Sequence, residues 1–246
     1  MIRKVLIALL FCLPLIILVP HLDQFVFQPG SQYSDIAVSH YPNGIYLQNA
    51  VRERGVIPMW SDSILSGYPF AANPLSGLHY PPGWLALLFP LPLGFNLVLL
   101  LHILFGGIGT YCLLRKEGAA QPAALLGALA FESLPKVYAH LAAGHMTILY
   151  AFCWTPWLLF VEGHAWRRKI LGYLVPGAVL GIIALADIRW AAYAGFLWAA
   201  FSLRHLAARV RLGEIKSKFL GGEIFNWAAM FTANIMITGL ISAPLI

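Results

Sequence analysis

Charge is what this sequence has least of. Asp, Glu, Lys and Arg make up 11% of its 246 residues, whereas 60% are hydrophobic and the mean hydropathy is +0.75. A water-soluble domain of this length carries about 25% charged residues, because its surface must be wetted. The composition therefore excludes a soluble globule. Cysteine is scarce as well. Cys12, Cys112 and Cys153 all lie inside apolar stretches, at spacings that fit neither a metal site nor a disulfide framework. They read as small buried hydrophobes. Also missing are a glycine-rich loop to cradle a phosphate, a dinucleotide fingerprint and a Ser/His/Asp order. Gly106-Gly107 and Gly221-Gly222 are isolated pairs that read as helix contacts or helix ends. ATP-driven chemistry has no support, and no repeat of fixed period occurs.

What is present is a series of long apolar runs. A bilayer core of about 30 Å takes about 20 apolar residues per helix, and that ruler gives seven spans: about 4–21, 93–114, 120–138, 146–164, 170–187, 189–204 and 226–244. The first resembles a signal peptide, but Pro20, His21, Leu22 and Asp23 offer no small-residue cleavage site. Glu132 and Pro135 interrupt the third, and Pro156 and Pro176 suggest kinks in later ones. Pro81–Leu91 is apolar, short and bounded by prolines, so it reads as re-entrant or interfacial. The expected fold class is an all-α integral membrane protein with about seven transmembrane helices and a long structured first outer loop. Residues 1–246 form one transmembrane domain, with that loop at about 21–92.

The net charge of +6 could mark a nucleic-acid surface, but its placement argues for membrane orientation. Arg3, Lys4, Arg115, Lys116, Arg167, Arg168, Lys169, Arg204, Arg209, Arg211, Lys216 and Lys218 are 12 of the 16 basic residues, and all fall on one side of the seven-span topology. Arg52, Arg54, Lys136 and Arg189 are left for the other side. Basic residues concentrate on the cytoplasmic side, so the N-terminus is expected in the cytoplasm and the long loop outside. No nucleic-acid partner is expected; the partner is the lipid bilayer. The last residues, Ser242 to Ile246, resemble the end of a span with no polar tail, and the expectation is a chain cut short at its C-terminus.

Several polar residues could carry chemistry. Asp35 stands just outside the first span, with His40 and Tyr41 downstream. It could act as a general base toward a hydroxyl, or cap a helix, or be a solvated loop acid. In the outer loop, Trp60, Asp62 and Tyr80 lie in runs dense in proline and glycine, which impose an irregular backbone. Trp60, Tyr68 and Tyr80 are aromatics of the kind found at headgroup level. Gly55 reads as the stop of a helix that starts near Pro42. His140 and His145 are five apart; on one helix they do not converge as an i,i+4 pair would, so no metal is expected there. A hydrogen-bonded or phosphate-facing role is left for them. Asp187 and Arg189 could form a local pair, as could Glu132 and Lys136. Alternatively Lys136 and Arg189 could neutralise a lipid-linked phosphate.

An ordered set of these residues resembles a known family. Asp35, Tyr41-Pro42, Gly55-Val56-Ile57-Pro58-Met59-Trp60, Gly67-Tyr68-Pro69-Phe70, Asn73-Pro74 and Tyr80-Pro81-Pro82 look like the first outer loop of the bacterial YfhO-like membrane proteins. Ser133-Leu134-Pro135-Lys136, Ala139 to His145 and Trp154-Thr155-Pro156-Trp157 extend the likeness, which runs from about residue 30 to the C-terminus. Those proteins resemble the GT-C superfamily of membrane glycosyltransferases. The resemblance implies a GT-C-like enzyme in the bacterial cell membrane that transfers a sugar, with inversion, from a polyprenyl-phosphate donor to a cell-envelope acceptor. It implies Asp35 as the catalytic base. Separately, no cofactor is expected, and a divalent metal has no support in the residues. Substrate contacts are expected from His40, Tyr41, Trp60, Asp62, Tyr80, Lys136, His140, His145, Asp187 and Arg189. The competing expectations are a non-catalytic lipid-binding scaffold and, behind it, a secondary transporter whose intramembrane acid would be Glu132.

Overall fold

The structure, a computed structural model, describes residues 14–22, 34–63, 66–165, 171–214 and 220–245. Most of the first expected span, Cys12, and the basic residues Arg167 to Lys169, Lys216 and Lys218 lie outside them. Among the described residues the chain is helical, and its only β pairing is an isolated bridge between Ser61 and Tyr68.

A π-helical turn, Ile36–His40, runs into α1, Tyr41–Arg54. Pro42, at the second position of α1, cannot donate its amide and stands where the π-helical turn gives way to α-helix. Gly55 ends α1 in the left-handed conformation, φ 64°, and returns its amide to the carbonyl of Val51. Short 3₁₀ turns follow, the longest at Pro81–Leu88. Next come α2, Leu93–Lys116; α3, Gln121–Glu132; α4, Pro135–Ala143; α5, Met146–Ala165; α6, Leu171–Ala186; α7, Ile188–Arg211; and α8, Leu220–Ser242.

Among the described residues two helices, Leu93–Lys116 and Gly221–Ser242, are long and apolar enough to cross a membrane; Met146–Glu162 and Leu174–Ala186 are shorter apolar helices. The span expected at about 120–138 is interrupted where Glu132 and Pro135 stand in the sequence. Pro135 cannot donate its amide, and it pushes Leu134 out of the helical region to ψ 123°. The result is two pieces, α3 and α4, of 12 and 9 residues. At 1.5 Å per residue neither covers a bilayer core of about 30 Å. Pro156 and Pro176, by contrast, sit inside the continuous helices α5 and α6.

The core lies where α2, α5, α6 and α7 meet; it includes Leu99, Ile103, Leu149, Leu158, Ile183 and Trp198. Glycines set the helix spacings, as small residues do between apolar helices. On α2, Gly106 lies under Phe131, Gly107 under Glu132 and Gly109 under Trp157. Between α6 and α8 the contact is to backbone: Asn234 Oδ1 accepts from the Gly177 amide, and Thr238 Oγ1 donates to the Gly177 carbonyl.

The segment from α1 to the Pro81–Leu88 turn has a small core of its own, Leu47, Phe70 and Leu78. Side-chain amides on α1 hold it together. Gln48 Nε2 donates to the carbonyls of Leu87 and Phe89, at 2.9 and 2.8 Å, and Asn43 Nδ2 donates to that of Leu75. The Pro81–Leu88 turn then rests on the start of α2, where Gly94 meets the Ala86 carbonyl. A Cβ at Gly94 would stand 2.1 Å from that oxygen. Backbone on both sides cannot yield, so Gly94→Ala is expected to cost about 1–3 kcal/mol. Gly239, with nothing near its absent Cβ, should accept Ala with no loss. Thermal unfolding of the two variants in detergent checks the contrast; equal melting temperatures would show that the contact is not rigid.

Candidate functional site

The π-helical turn before α1 and the loop after α4 are brought together by one glycine. Gly144 ends α4 with φ 82° and fits closely against the backbone amides of Asp35 and Ile36. The left-handed residue reverses the chain and sends His145 back toward both His140 and Asp35. His140 Nδ1 and His145 Nδ1 are 2.9 Å apart, so one ring donates and the other accepts. His145 Nε2 stands 3.5 Å from Asp35 Oδ2, an ion pair when the ring is protonated. The hydrogen-bonded role left for these histidines agrees with this contact, although helical spacing would have kept the rings apart. That spacing assumes one continuous helix, and Gly144 breaks it. Burial, His145 and Lys136 together hold the His140 imidazole below the usual histidine range. Asp35 keeps its side chain 60% exposed. Its charge also reaches His40 and Arg189.

Asp187 caps α7. Its Oδ1 accepts from the amides of Arg189 and Trp190, at 3.0 and 3.1 Å. Its Oδ2 accepts from Arg189 Nη2 at 2.7 Å and from the Thr147 hydroxyl at 3.0 Å. Burial alone would raise its pKa. The Arg189 guanidinium, the Trp190 amide and Thr147 more than offset that and hold the carboxyl below the usual range. These bonds occupy its oxygens, so Asp187 positions Arg189 instead of meeting a ligand itself. Arg189 remains 68% exposed, with its plane fixed from behind.

A cleft of about 50 Å³ opens beside this cluster, between the segment that follows α1 and the ends of α5 and α6. His40, Ser76, His79 and Thr147 give it polar atoms, and Trp84 and Tyr150 give it aromatic walls. Tyr80 forms part of the floor. It was expected at headgroup level, yet it is only 4% exposed. Its hydroxyl accepts from Trp154 Nε1 at 2.8 Å and donates to His102 Nε2 at 2.6 Å. His102 Nδ1 in turn donates to the Val98 carbonyl. Tyr80 stacks on Tyr150.

The remaining expected residues are scattered. Tyr41 packs half-buried against the main core. Lys136 is exposed at the start of α4, beside a small apolar pocket that His140 and Trp190 also line. Trp60 and Asp62 belong elsewhere. Trp60 is exposed, its indole covers Gly67 and its carbonyl accepts from the Tyr46 hydroxyl. Asp62 is exposed and forms no ion pair among the described residues. Sequence reasoning missed Thr147, Tyr150, Trp154 and His102. Only His102 carried a signal, as a lone imidazole inside an apolar run. Among the described residues no group of three or more His, Cys, Asp or Glu is arranged to hold a metal ion.

With this geometry in hand, the chain was compared with known proteins: no known family, curated protein or solved structure matches it. The resemblance to YfhO-like proteins rests on the residues quoted for it.

His40 gives the site a pH dependence. Burial lowers its pKa from 6.5 to about 4, against the opposing pull of Asp35 and a hydrogen bond to the Leu75 backbone. As pH falls, the unfolded chain takes up this proton first, so the contribution of His40 is full above about pH 6.5 and is lost progressively toward pH 4. Amide exchange in α1, corrected for intrinsic rates, should therefore accelerate between neutral pH and pH 4. His40→Gln should flatten that dependence. An unchanged profile in the variant would assign the acid sensitivity to another group.

Proposed function

We propose that this chain is a membrane-bound transferase of the GT-C kind, moving a sugar from a polyprenyl-phosphate donor to an acceptor hydroxyl of the cell envelope. The observation that carries the reading is Asp35: an exposed carboxylate paired with His145, sharing its field with Arg189, beside a cleft with aromatic walls. A general base needs that combination of access and orientation. Asp35 would take the proton of the acceptor hydroxyl as the new glycosidic bond forms. The bond from the anomeric carbon to the lipid phosphate breaks on the opposite face, and the configuration inverts.

The cations have a part in the same step. Negative charge accumulates on the departing phosphate, and a guanidinium fixed by a carboxylate behind it is preorganised to receive that charge. Arg189 is held this way by Asp187, and Lys136 lies near the same face through its neighbour His140. In this proposal the chain lies in a bacterial cell membrane with seven spans, the third broken between α3 and α4, its N-terminus in the cytoplasm and the Asp35 cluster outside, as the distribution of basic residues favours.

The test is sugar transfer by membranes containing the full chain, with radiolabelled polyprenyl-phosphate sugars as donors. Asp35→Asn should lower transfer by about 10²–10⁴-fold while leaving membrane insertion intact. Arg189→Gln should weaken donor use and leave the fold unchanged, because Asp187 keeps its two backbone donors. Transfer that survives Asp35→Asn removes the carboxylate from the mechanism. Donor binding without transfer to any acceptor would favour a lipid-binding scaffold.

A further inference from the structure

A buried acid at the junction of α3 and α4 has no part in the transfer proposed above. Glu132, the last residue of α3, is fully buried, and neither carboxyl oxygen has a hydrogen-bond partner among the described residues. The side chain lies against α2 at a position where only glycine leaves room: a Cβ on Gly107 would fall 1.9 Å from Oε1. The ionisable groups facing it are Tyr138 of α4 and Cys153 of α5. The Tyr138 hydroxyl is also buried without a partner among the described residues. Lys136, four residues on, is exposed and forms no ion pair with it. The break at Ser133 and Leu134 separates the two.

An unpaired carboxylate among apolar helices is strongly disfavoured, because nothing there replaces its hydration. The uncharged acid avoids that cost. Ionisable groups buried beside interrupted helices are a recurrent place for protons and ions to bind. Here the oxygens converge on no third ligand, so the space suits a proton and not a metal ion.

We propose that Glu132 is a proton-binding site whose occupancy controls the packing of the α3–α4 junction against α2. With the proton bound, the neutral carboxyl lies against Gly107 and the junction is closed. When the proton passes to water, the carboxylate leaves its apolar surroundings toward solvent and Lys136, and the junction opens. No other reactant is needed. The proposal does not depend on Asp35 or on sugar transfer, so either can fail without the other.

The experiment is infrared spectroscopy of the full chain in lipid nanodiscs, titrated between about pH 5 and pH 9. The expected result is the C=O stretch of a protonated carboxylic acid without hydrogen bonds, present at neutral pH, reduced as pH rises and lost in Glu132→Gln. Gln matches the shape of the protonated acid, so the variant should melt close to the wild-type temperature. A second measurement is mapping of carboxyls modified by a hydrophobic carbodiimide, which adds protonated acids in apolar surroundings across its C=N bond. Glu132 should be labelled at neutral pH and progressively less at higher pH. The proposal is overturned if no such band exists at any pH, if Glu132→Gln retains it, or if Glu132 stays unlabelled while exposed acids such as Glu53 react. Should Glu132→Gln fail to accumulate, labelling of the wild-type chain decides alone.

Discussion

The hydroxyl of Tyr80 joins the segment between α1 and α2 to the helix bundle, and the geometry of the site depends on that join. It accepts from Trp154 on α5 and donates to His102 on α2, so one oxygen ties an irregular loop to two helices. In apolar surroundings a hydrogen bond is stronger than in water, and an unmade one costs about 1–3 kcal/mol. Three polar groups share the risk here, and each is satisfied only while the loop stays seated. The amide of Gln48 does the same work further out. The cleft wall is therefore fixed by a few directed bonds at its base, while the larger apolar contacts supply the bulk of the packing.

The cluster above that floor owes its shape to chain reversals. Gly144 turns α4 back so that His145 faces Asp35, and Asp187 stops α6 and starts α7 so that Arg189 projects outward. Neither acid–base pair comes from a regular helix face. Both come from places where a helix ends, and loops and element ends are where functional groups concentrate on a rigid scaffold. The two acids then separate in character. Asp187 is saturated by five donors and fixed in place, whereas Asp35 keeps an open side.

Some of this was legible in the residues. Gly55 announced the end of α1, and Pro135 announced the break after α3, because both act through local sterics that need no tertiary partner. The pairing of Asp187 with Arg189 was legible for the same reason, since the residues are two apart. The meeting of His140 with His145 was not. Helical spacing gave the wrong geometry once Gly144 adopted a left-handed conformation. Tyr80 was misplaced because an aromatic beside prolines suggests a headgroup belt, and only the fold brings Trp154 and His102 to its hydroxyl. Trp60 and Asp62 looked equivalent to Tyr80 in the sequence and lie apart from it in space.

The clasp of Gly177 between Asn234 and Thr238 has a bearing on the last helix that packing area does not reveal. Two smooth apolar helices slide along one another at little cost, because one ridge of methyl groups resembles the next. Here α8 grips a backbone amide with one residue and the carbonyl of the same glycine with another, four positions on. A slip of one turn, about 5.4 Å, would release both at once. The clasp therefore acts as a notch that fixes the height of α8 against α6. It does so with two hydrogen bonds and the absence of one side chain.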